Sequence, residues 1–159
     1  MKHFAKIQAE FLKIAEDDLS GTVHKEQEHR LVLLEQPPEI KDVNPTIIRQ
    51  GMLREVRKND QTFAYARMRM KQEFGKEPKY ILGVKHLFLH QEAETEISKE
   101  MFDAFYPNNI DKPQEKYRYT LQNGWEIDIV QGTNEIYAEY EYDGKEKVII
   151  PKHWKVKQL

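Results

Sequence analysis

The segment Tyr137-Ala138-Glu139-Tyr140-Glu141-Tyr142 alternates carboxylates with small or aromatic residues near the end of the 159-residue chain. In a β-strand successive side chains point to opposite faces, so Glu139 and Glu141 would share one face, opposite Tyr140. Tyrosine favours strands and glutamate is depleted in them, so two glutamates kept on one face indicate a use for that face. Taken alone, the segment also fits an edge strand with a solvated acidic face.

The same alternation of charge recurs along the chain. Five further segments carry charged residues at every second position, namely 26–30, 67–69, 92–96, 116–118 and 126–128. Some of these faces are acidic and others basic, as expected if they face one another across a shared space. The pattern predicts a mainly β, α+β fold, in which a closed antiparallel eight-stranded barrel has a charged interior, an apolar outside and a few covering helices.

The composition is that of one globular domain. Charged residues make up 33% of the chain and aromatic residues 11%, which argues against disorder. The formal net charge of -2 gives no general affinity for nucleic acid or membranes. The absence of cysteine excludes disulfides, thiolate metal sites and thiol nucleophiles. No run has the character of a signal peptide or a membrane span, so we expect a soluble cytoplasmic protein.

The chain order predicts an extension followed by one domain. Residues 1–21 form the extension, with an amphipathic helix over 3–16 that either covers the domain or docks a protein partner. Residues 22–159 form the barrel domain. A short helix follows Ser98, which is a suitable N-cap. Strands are predicted at 26–34, 46–57, 63–70, 80–88, 92–97, 115–121, 125–130, 136–142 and, after a hairpin signal, 147–151.

With these motifs in view, the chain resembles the CYTH domain, the fold of triphosphate tunnel metalloenzymes, class IV adenylyl cyclases and thiamine triphosphatases. The family's opening Glu-x-Glu-x-Lys is similar to Glu26-Gln27-Glu28-His29-Arg30, and its Arg-x-Arg is similar to Arg67-Met68-Arg69. Further family motifs resemble Gln50-Gly51 and residues 83–85, 92–97, 116–119, 125–128 and 138–141, in that order. Each motif is weak alone, but their order and spacing are specific together.

Three positions depart from the family pattern. Arg30 stands where the family has lysine, Gly83 where it has threonine, and His90 where it commonly has arginine. These departures keep open a non-catalytic module that holds a phosphorylated ligand. They also leave the substrate and the oligomeric state unassigned.

The resemblance and the chemistry of the side chains together predict the residues of the site. The carboxylates suit Mg²⁺ or Mn²⁺, which take hard oxygen ligands, and arginine forks suit phosphate oxygens. Glu92, Glu94 and Glu96 are expected either to pair with interior Arg or Lys or to reach the metal. The catalytic candidates are Glu26, Glu28 and Arg30; the metal candidates are Glu26, Glu28, Asp128, Glu139 and Glu141; the phosphate-binding candidates are Arg67, Arg69, Lys85, Arg118, Lys116 and Lys152.

The leading functional hypothesis is a divalent-metal-dependent hydrolase of a triphosphate substrate such as tripolyphosphate or a nucleoside triphosphate. The resemblance implies in-line attack of water on the terminal phosphorus. One alternative is a class IV-type adenylyl cyclase, and another is a binding module for phosphate or for a nucleic-acid 5′-triphosphate end. The least specific alternative is a set of cross-strand ion pairs on solvated faces.

Overall fold

The computed structural model describes residues 24–25, 27–87, 89–106, 110–142 and 145–158. Its described helices are one α-helix, Lys99–Phe105 (α1), and one 3-10 helix, Pro38–Asp42. The strands are His24–Lys25 (β1), Gln27–Leu33 (β2), Thr46–Lys58 (β3), Gln61–Gln72 (β4), Lys79–His86 (β5), Gln91–Ile97 (β6), Asp111–Thr120 (β7), Glu126–Val130 (β8) and Ile136–Tyr142 (β9). These elements confirm a mainly β, antiparallel fold. The predicted helix over 3–16 and Glu26 lie outside the described residues.

The segment 46–57, whose pattern fits helix and strand alike, forms strand β3, as predicted. Packing explains the glycine at position 51, in the middle of this strand. A Cβ at this position would lie 1.7 Å from Cγ2 of the Ile110 side chain. Ile110 is itself buried. Glycine therefore lets a core side chain pack directly against the backbone of β3.

Helix α1 begins where the sequence predicts. The hydroxyl of Ser98 accepts a hydrogen bond from the backbone N–H of Met101 at 3.1 Å, which satisfies one of the free donors at the helix start. Phe102 is buried, and its ring centroid lies 5.0 Å from that of Tyr80 on β5. This contact attaches the helix to the sheet of its own unit.

The described chain divides into two compact units, and the first contains His24–Lys25, Arg49–Lys71 and Pro78–Pro113. Its strands follow the order β1-β6-β5-β4-β3. The pairs β1–β6, β5–β6 and β4–β5 are antiparallel. One face is apolar, where Ala66 and Val84 are buried with Leu53 packed against them. The other face carries the alternating charges of β4, β5 and β6.

The second unit contains residues 27–48, 72–77 and 114–158. Its strands follow the order β7-β8-β9-β2, and all three neighbouring pairs are antiparallel. The apolar face is built on Trp125, Ile127 and Ala138, all of which are almost fully buried. Trp154 covers this face, with its ring centroid 5.3 Å from that of Trp125. Burial of these aromatic surfaces is a main source of stability for the unit.

The prediction of a strand over 147–151 was wrong, because the segment is irregular. The carbonyl of Ile149 accepts a hydrogen bond from the indole N–H of Trp125 at 3.0 Å, and Pro151 has no N–H to give to a ladder. Further on, Val156 forms an isolated antiparallel bridge with Leu33. The C-terminal segment therefore contacts the unit through side chains and one short bridge.

Neither unit's sheet closes on itself among the described residues. In the first unit β1 does not pair with β3, and in the second unit β7 does not pair with β2. The closed eight-stranded barrel is therefore not shown by either unit, and the confirmed part of that prediction is the antiparallel, mainly β class. Nine strands are described instead of eight, because His24–Lys25 pairs with β6 as a strand of its own. In the part of the chain that the structure describes, no helix is long and apolar enough to cross a membrane.

Candidate functional site

The strands of the second unit carry their charged residues on one face, which we call the charged face. Antiparallel register and the contacts described below bring these residues together, opposite the side that holds Trp125 and Ile127. The alternation predicted for these strands is therefore found. The charged face consists of Glu28, Arg30, Lys116, Arg118, Glu126, Asp128, Glu139 and Glu141.

Asp128 lies at the buried end of this face, and its side chain is only 2% exposed. Arg118 donates to it through two nearly parallel hydrogen bonds, Nε to Oδ1 at 2.7 Å and Nη2 to Oδ2 at 2.8 Å. The Nζ of Lys116 lies 2.6 Å from Oδ2 of the same carboxylate. Two predicted phosphate-binding cations therefore pair with one predicted metal ligand.

The pKa values of this cluster follow from burial and charge. Burial alone would raise the pKa of Asp128, but the hydrogen bonds and positive charge of Arg118, with the charge of Lys116, lower it to about 2. Burial would likewise lower the pKa of Arg118, and the surrounding carboxylates, led by Asp128, reverse this and raise it. Both groups are therefore fixed in their charged forms at neutral pH.

Arg118 also reaches two other carboxylates. Its Nη1 lies 2.9 Å from Oε2 of Glu126, and its Nη2 lies 3.6 Å from Oε2 of Glu139. The guanidinium is therefore shared among three acidic side chains while its own side chain is 13% exposed. Arg118 therefore links three carboxylates of the charged face.

Arg30 lies towards the solvent side of the same face, with its side chain 57% exposed. Its Nε lies 3.5 Å from Oε1 of Glu139, and its guanidinium carbon lies 4.3 Å from the ring centroid of Tyr137. The hydroxyl of Tyr137 donates to the carboxylate of Glu135, which fixes the ring.

Glu28 and Glu141 face each other directly across β2 and β9. Like charges in opposite positions of a sheet destabilise it, and a cation held near both would relieve the repulsion. Carboxylate oxygens are the ligands that Mg²⁺ and Mn²⁺ prefer, so the chemistry of this donor set fits such an ion. Among the described residues, no group of three or more His, Asp or Glu side chains is already arranged to hold a metal.

The first unit has a charged face of its own, built on β4, β5 and β6. The Nη2 of Arg67 lies 2.7 Å from Oε1 of Glu92 and 3.8 Å from Oε1 of Glu94. Glu92 is buried, at 6% exposure. Glu92 therefore pairs with an arginine, which is the first of the two alternatives expected for the glutamate repeat.

The remaining predicted phosphate ligands lie in different surroundings. Arg69 is buried, and its Nε donates to Oε1 of Gln50 at 2.9 Å. Lys85 sits in register between Tyr65 on β4 and Glu92 on β6. Lys152 lies in an exposed turn of the C-terminal segment. Arg69 and Lys85 therefore lie in the first unit with Arg67. Lys152 lies in the second unit and is not part of a strand.

Two participants in the second unit were missed as site residues from the sequence. Glu126 contacts Arg118, and the ring of Tyr137 makes a cation–π contact with the guanidinium of Arg30. The available signal was spacing, because Glu126 precedes Asp128 by two positions and Tyr137 precedes Glu139 by two. Period-two spacing assigns a residue to a face but does not identify its partner across the sheet.

Comparison with solved structures shows that this chain shares its fold with two structures of the protein NE1496, in agreement with the CYTH resemblance that the motif order implies. The structure of the inorganic triphosphatase NE1496 matches with a TM-score of 0.52 and 21% identity, covering 83% of this chain and 85% of that one. A further structure, of the hypothetical protein NE1496, matches with a TM-score of 0.53 and 22% identity, covering 83% and 88%. No protein-family model matches the chain, and no curated protein matches it.

Proposed function

We propose that this protein is a divalent-metal-dependent hydrolase that cleaves the terminal phosphate from a triphosphate substrate. The observation that carries the proposal is the charged face of the second unit, in a chain whose fold is also that of an inorganic triphosphatase. Enclosure of the substrate in a tunnel, which the family resemblance implies, is part of the proposal. Excluding water would strengthen every ionic contact with the substrate.

The balance of charge on this face supports a requirement for metal. Its eight residues comprise five carboxylates and three cations, which leaves two formal negative charges. A triphosphate carries about four negative charges near neutral pH and would be repelled by such a surface. One divalent cation would neutralise the excess and allow the anion to approach.

We assign the metal to Glu28, Glu139 and Glu141, together with Glu26, and the ion to Mg²⁺ or Mn²⁺. When bound, such an ion supplies Lewis acidity and charge neutralisation at phosphoryl oxygens. Both oxygens of Asp128 already accept hydrogen bonds from Arg118. We therefore propose that Asp128 holds Arg118 and Lys116 in position instead of binding the metal directly.

The chain's own cations would bind and orient the phosphates. Arg118 presents a planar fork suited to two phosphate oxygens, and its contact with Glu139 at 3.6 Å is long enough to be exchanged for a phosphate contact. Arg67, Arg69 and Lys85 are proposed as further phosphate ligands. The expected contribution of these groups is positioning and stabilisation of developing charge, which dominates phosphoryl transfer.

Phosphate release from tripolyphosphate and from ATP tests the proposal, measured with Mg²⁺, with Mn²⁺ and with chelator. The Glu139→Ala/Glu141→Ala variant should be folded and inactive. A matched control, Glu77→Ala/Glu100→Ala, removes two exposed carboxylates that do not belong to the charged face and should keep full activity. Cyclic AMP formed from ATP instead of free phosphate would favour the cyclase alternative. Metal-dependent binding without any turnover would contradict the hydrolase proposal.

A further inference from the structure

Arg69 on β4 and Gln50 on β3 contact each other in the first unit. The Nε of Arg69 donates a hydrogen bond to Oε1 of Gln50 at 2.9 Å, and Arg69 is only 7% exposed. The strands β3 and β4 are neighbours in the sheet. Next to Gln50, the packing of Ile110 against Gly51 holds the backbone of β3. The contact therefore joins two side chains whose backbones are fixed by the fold.

The acceptor of Arg69 differs from that of Arg67, which lies two positions earlier on the same face of β4. Arg67 donates to Glu92 at 2.7 Å, so a carboxylate offsets its charge. Gln50 offers an amide oxygen, which accepts a hydrogen bond but carries no charge. The contact with Gln50 therefore orients the guanidinium of Arg69 and leaves its charge unchanged.

The atom that Gln50 holds also matters. An arginine has five N–H groups in one plane, and only one of them is on Nε. Gln50 holds this plane by Nε, and the two Nη atoms lie beyond it at the end of the side chain. A guanidinium binds two oxygens of one phosphate through a pair of donors in this plane. Orienting the plane in advance lowers the entropy that the side chain loses on binding.

We propose that Gln50 is a positioning residue for Arg69, which it holds in the orientation that binds a phosphate of the substrate. This inference rests on the proposed function and gives a role in it to a residue that does not touch the substrate. A glutamate at position 50 would orient Arg69 equally well, but its charge would oppose the attraction of Arg69 for an anion. Because Arg69 is buried, solvent and salt would screen that effect only weakly.

The first test separates charge from orientation by a single change of amide to carboxylate. Gln50→Glu keeps the shape and the acceptor, so Tm should not fall. KM for tripolyphosphate should rise about tenfold with kcat within about threefold, because Arg69 binds the phosphate equally before and during the reaction. A residue with a purely structural role would not change KM while Tm is kept. Gln91→Glu is the matched control: it adds the same charge to β6, on the face opposite to Glu92, and should leave KM unchanged.

The second test asks whether Gln50 acts through Arg69. Gln50→Leu removes the acceptor and should raise KM for tripolyphosphate about three- to tenfold in the otherwise wild-type protein. In an Arg69→Met background the same substitution should change KM less than about twofold, because the group that Gln50 orients is gone.

Three results would overturn the inference. A wild-type KM in Gln50→Glu would remove the role of Gln50 and leave the proposed function intact. An equal effect of Gln50→Leu with and without Arg69, or a raised KM that accompanies a lower Tm in Gln50→Glu, would assign Gln50 to the fold. Wild-type protein that neither binds nor cleaves tripolyphosphate would remove the inference and the proposed function together.

Discussion

Arg118 donates two hydrogen bonds to Asp128, at 2.7 Å and 2.8 Å, on the charged face of the second unit. The pair is buried, yet each partner has a further neighbour of opposite charge, Lys116 for Asp128 and Glu126 for Arg118. Buried charges are stable only when they are paired and hydrogen-bonded, and this network meets that condition. It also keeps a positively charged fork in place on a surface with an excess of carboxylates.

Removing the charge of Asp128 should destabilise the protein. Asp128→Asn leaves Arg118 and Lys116 without their shared counter-charge in a buried place, so we expect a loss of about 3 kcal/mol in the free energy of unfolding. Urea denaturation followed by circular dichroism measures this. Glu126→Gln is the control, because Glu126 is more exposed and its pairing should be worth less than about 1 kcal/mol. An equal effect of the two substitutions would contradict the central place of Asp128.

Stability should depend on pH in the acid range through the same residue. The pKa of Asp128 is lowered from 3.8 to about 2 in the folded protein, so the folded state binds this proton less readily than the unfolded state. The contribution of Asp128 is therefore fully present above pH 3.8 and is lost as the pH falls towards 2. Unfolding free energies of wild type and Asp128→Asn should converge over this range. A difference in unfolding free energy that stays constant over this pH range would contradict the lowered pKa of Asp128.

Tyr137 should act as the positioning residue of Arg30, which we expect to contact a phosphate of the substrate. The ring lies under the guanidinium at 4.3 Å, and an exposed cation–π contact is worth about 0.5–1 kcal/mol. Tyr137→Leu should therefore raise KM for tripolyphosphate about two- to fivefold with little change in kcat. Tyr137→Phe keeps the ring and should retain most of the affinity. If the phenylalanine variant were as impaired as the leucine variant, the hydroxyl and not the ring would be responsible.

Two glycines in the first unit should respond differently to alanine. Gly51→Ala brings a methyl group into the space of Ile110 and should cost about 1–3 kcal/mol of stability through overpacking. Gly83→Ala meets only ordinary contacts and should not lower stability. Thermal unfolding of both variants measures the contrast. The double variant Gly51→Ala/Ile110→Ala should lose less than the sum of its single changes, because the two sites are in contact.

The sequence was sufficient to assign many residues to faces. The alternation in 125–128 and 136–142 predicted which side chains would be charged and which would be buried, since side-chain direction in a strand has a period of two. Gly51 and the β-branched start favoured strand for 46–57, and the N-cap residue Ser98 favoured a short helix after it. These are local properties of the chain, and the structure confirms them.

The partners of the charged residues could not be predicted in the same way. Asp128 was predicted as a metal ligand and contacts Arg118 and Lys116, because these contacts depend on the register between β7 and β8, which period-two spacing does not fix. The packing of Gly51 against Ile110 is a contact between residues that are distant in sequence. The irregular segment 147–151 depends on the hydrogen bond between Trp125 and Ile149, which no local pattern indicates.

The most direct test of the central claim is the initial rate of phosphate release from tripolyphosphate as Mg²⁺ is titrated, for wild type and for Glu139→Ala/Glu141→Ala. The account predicts a wild-type rate that rises with Mg²⁺ to saturation and is abolished by chelator, with no rate for the folded variant at any Mg²⁺ concentration. A wild-type rate that is independent of metal, or a variant as active as wild type, would contradict the assignment of triphosphate hydrolysis to the charged face.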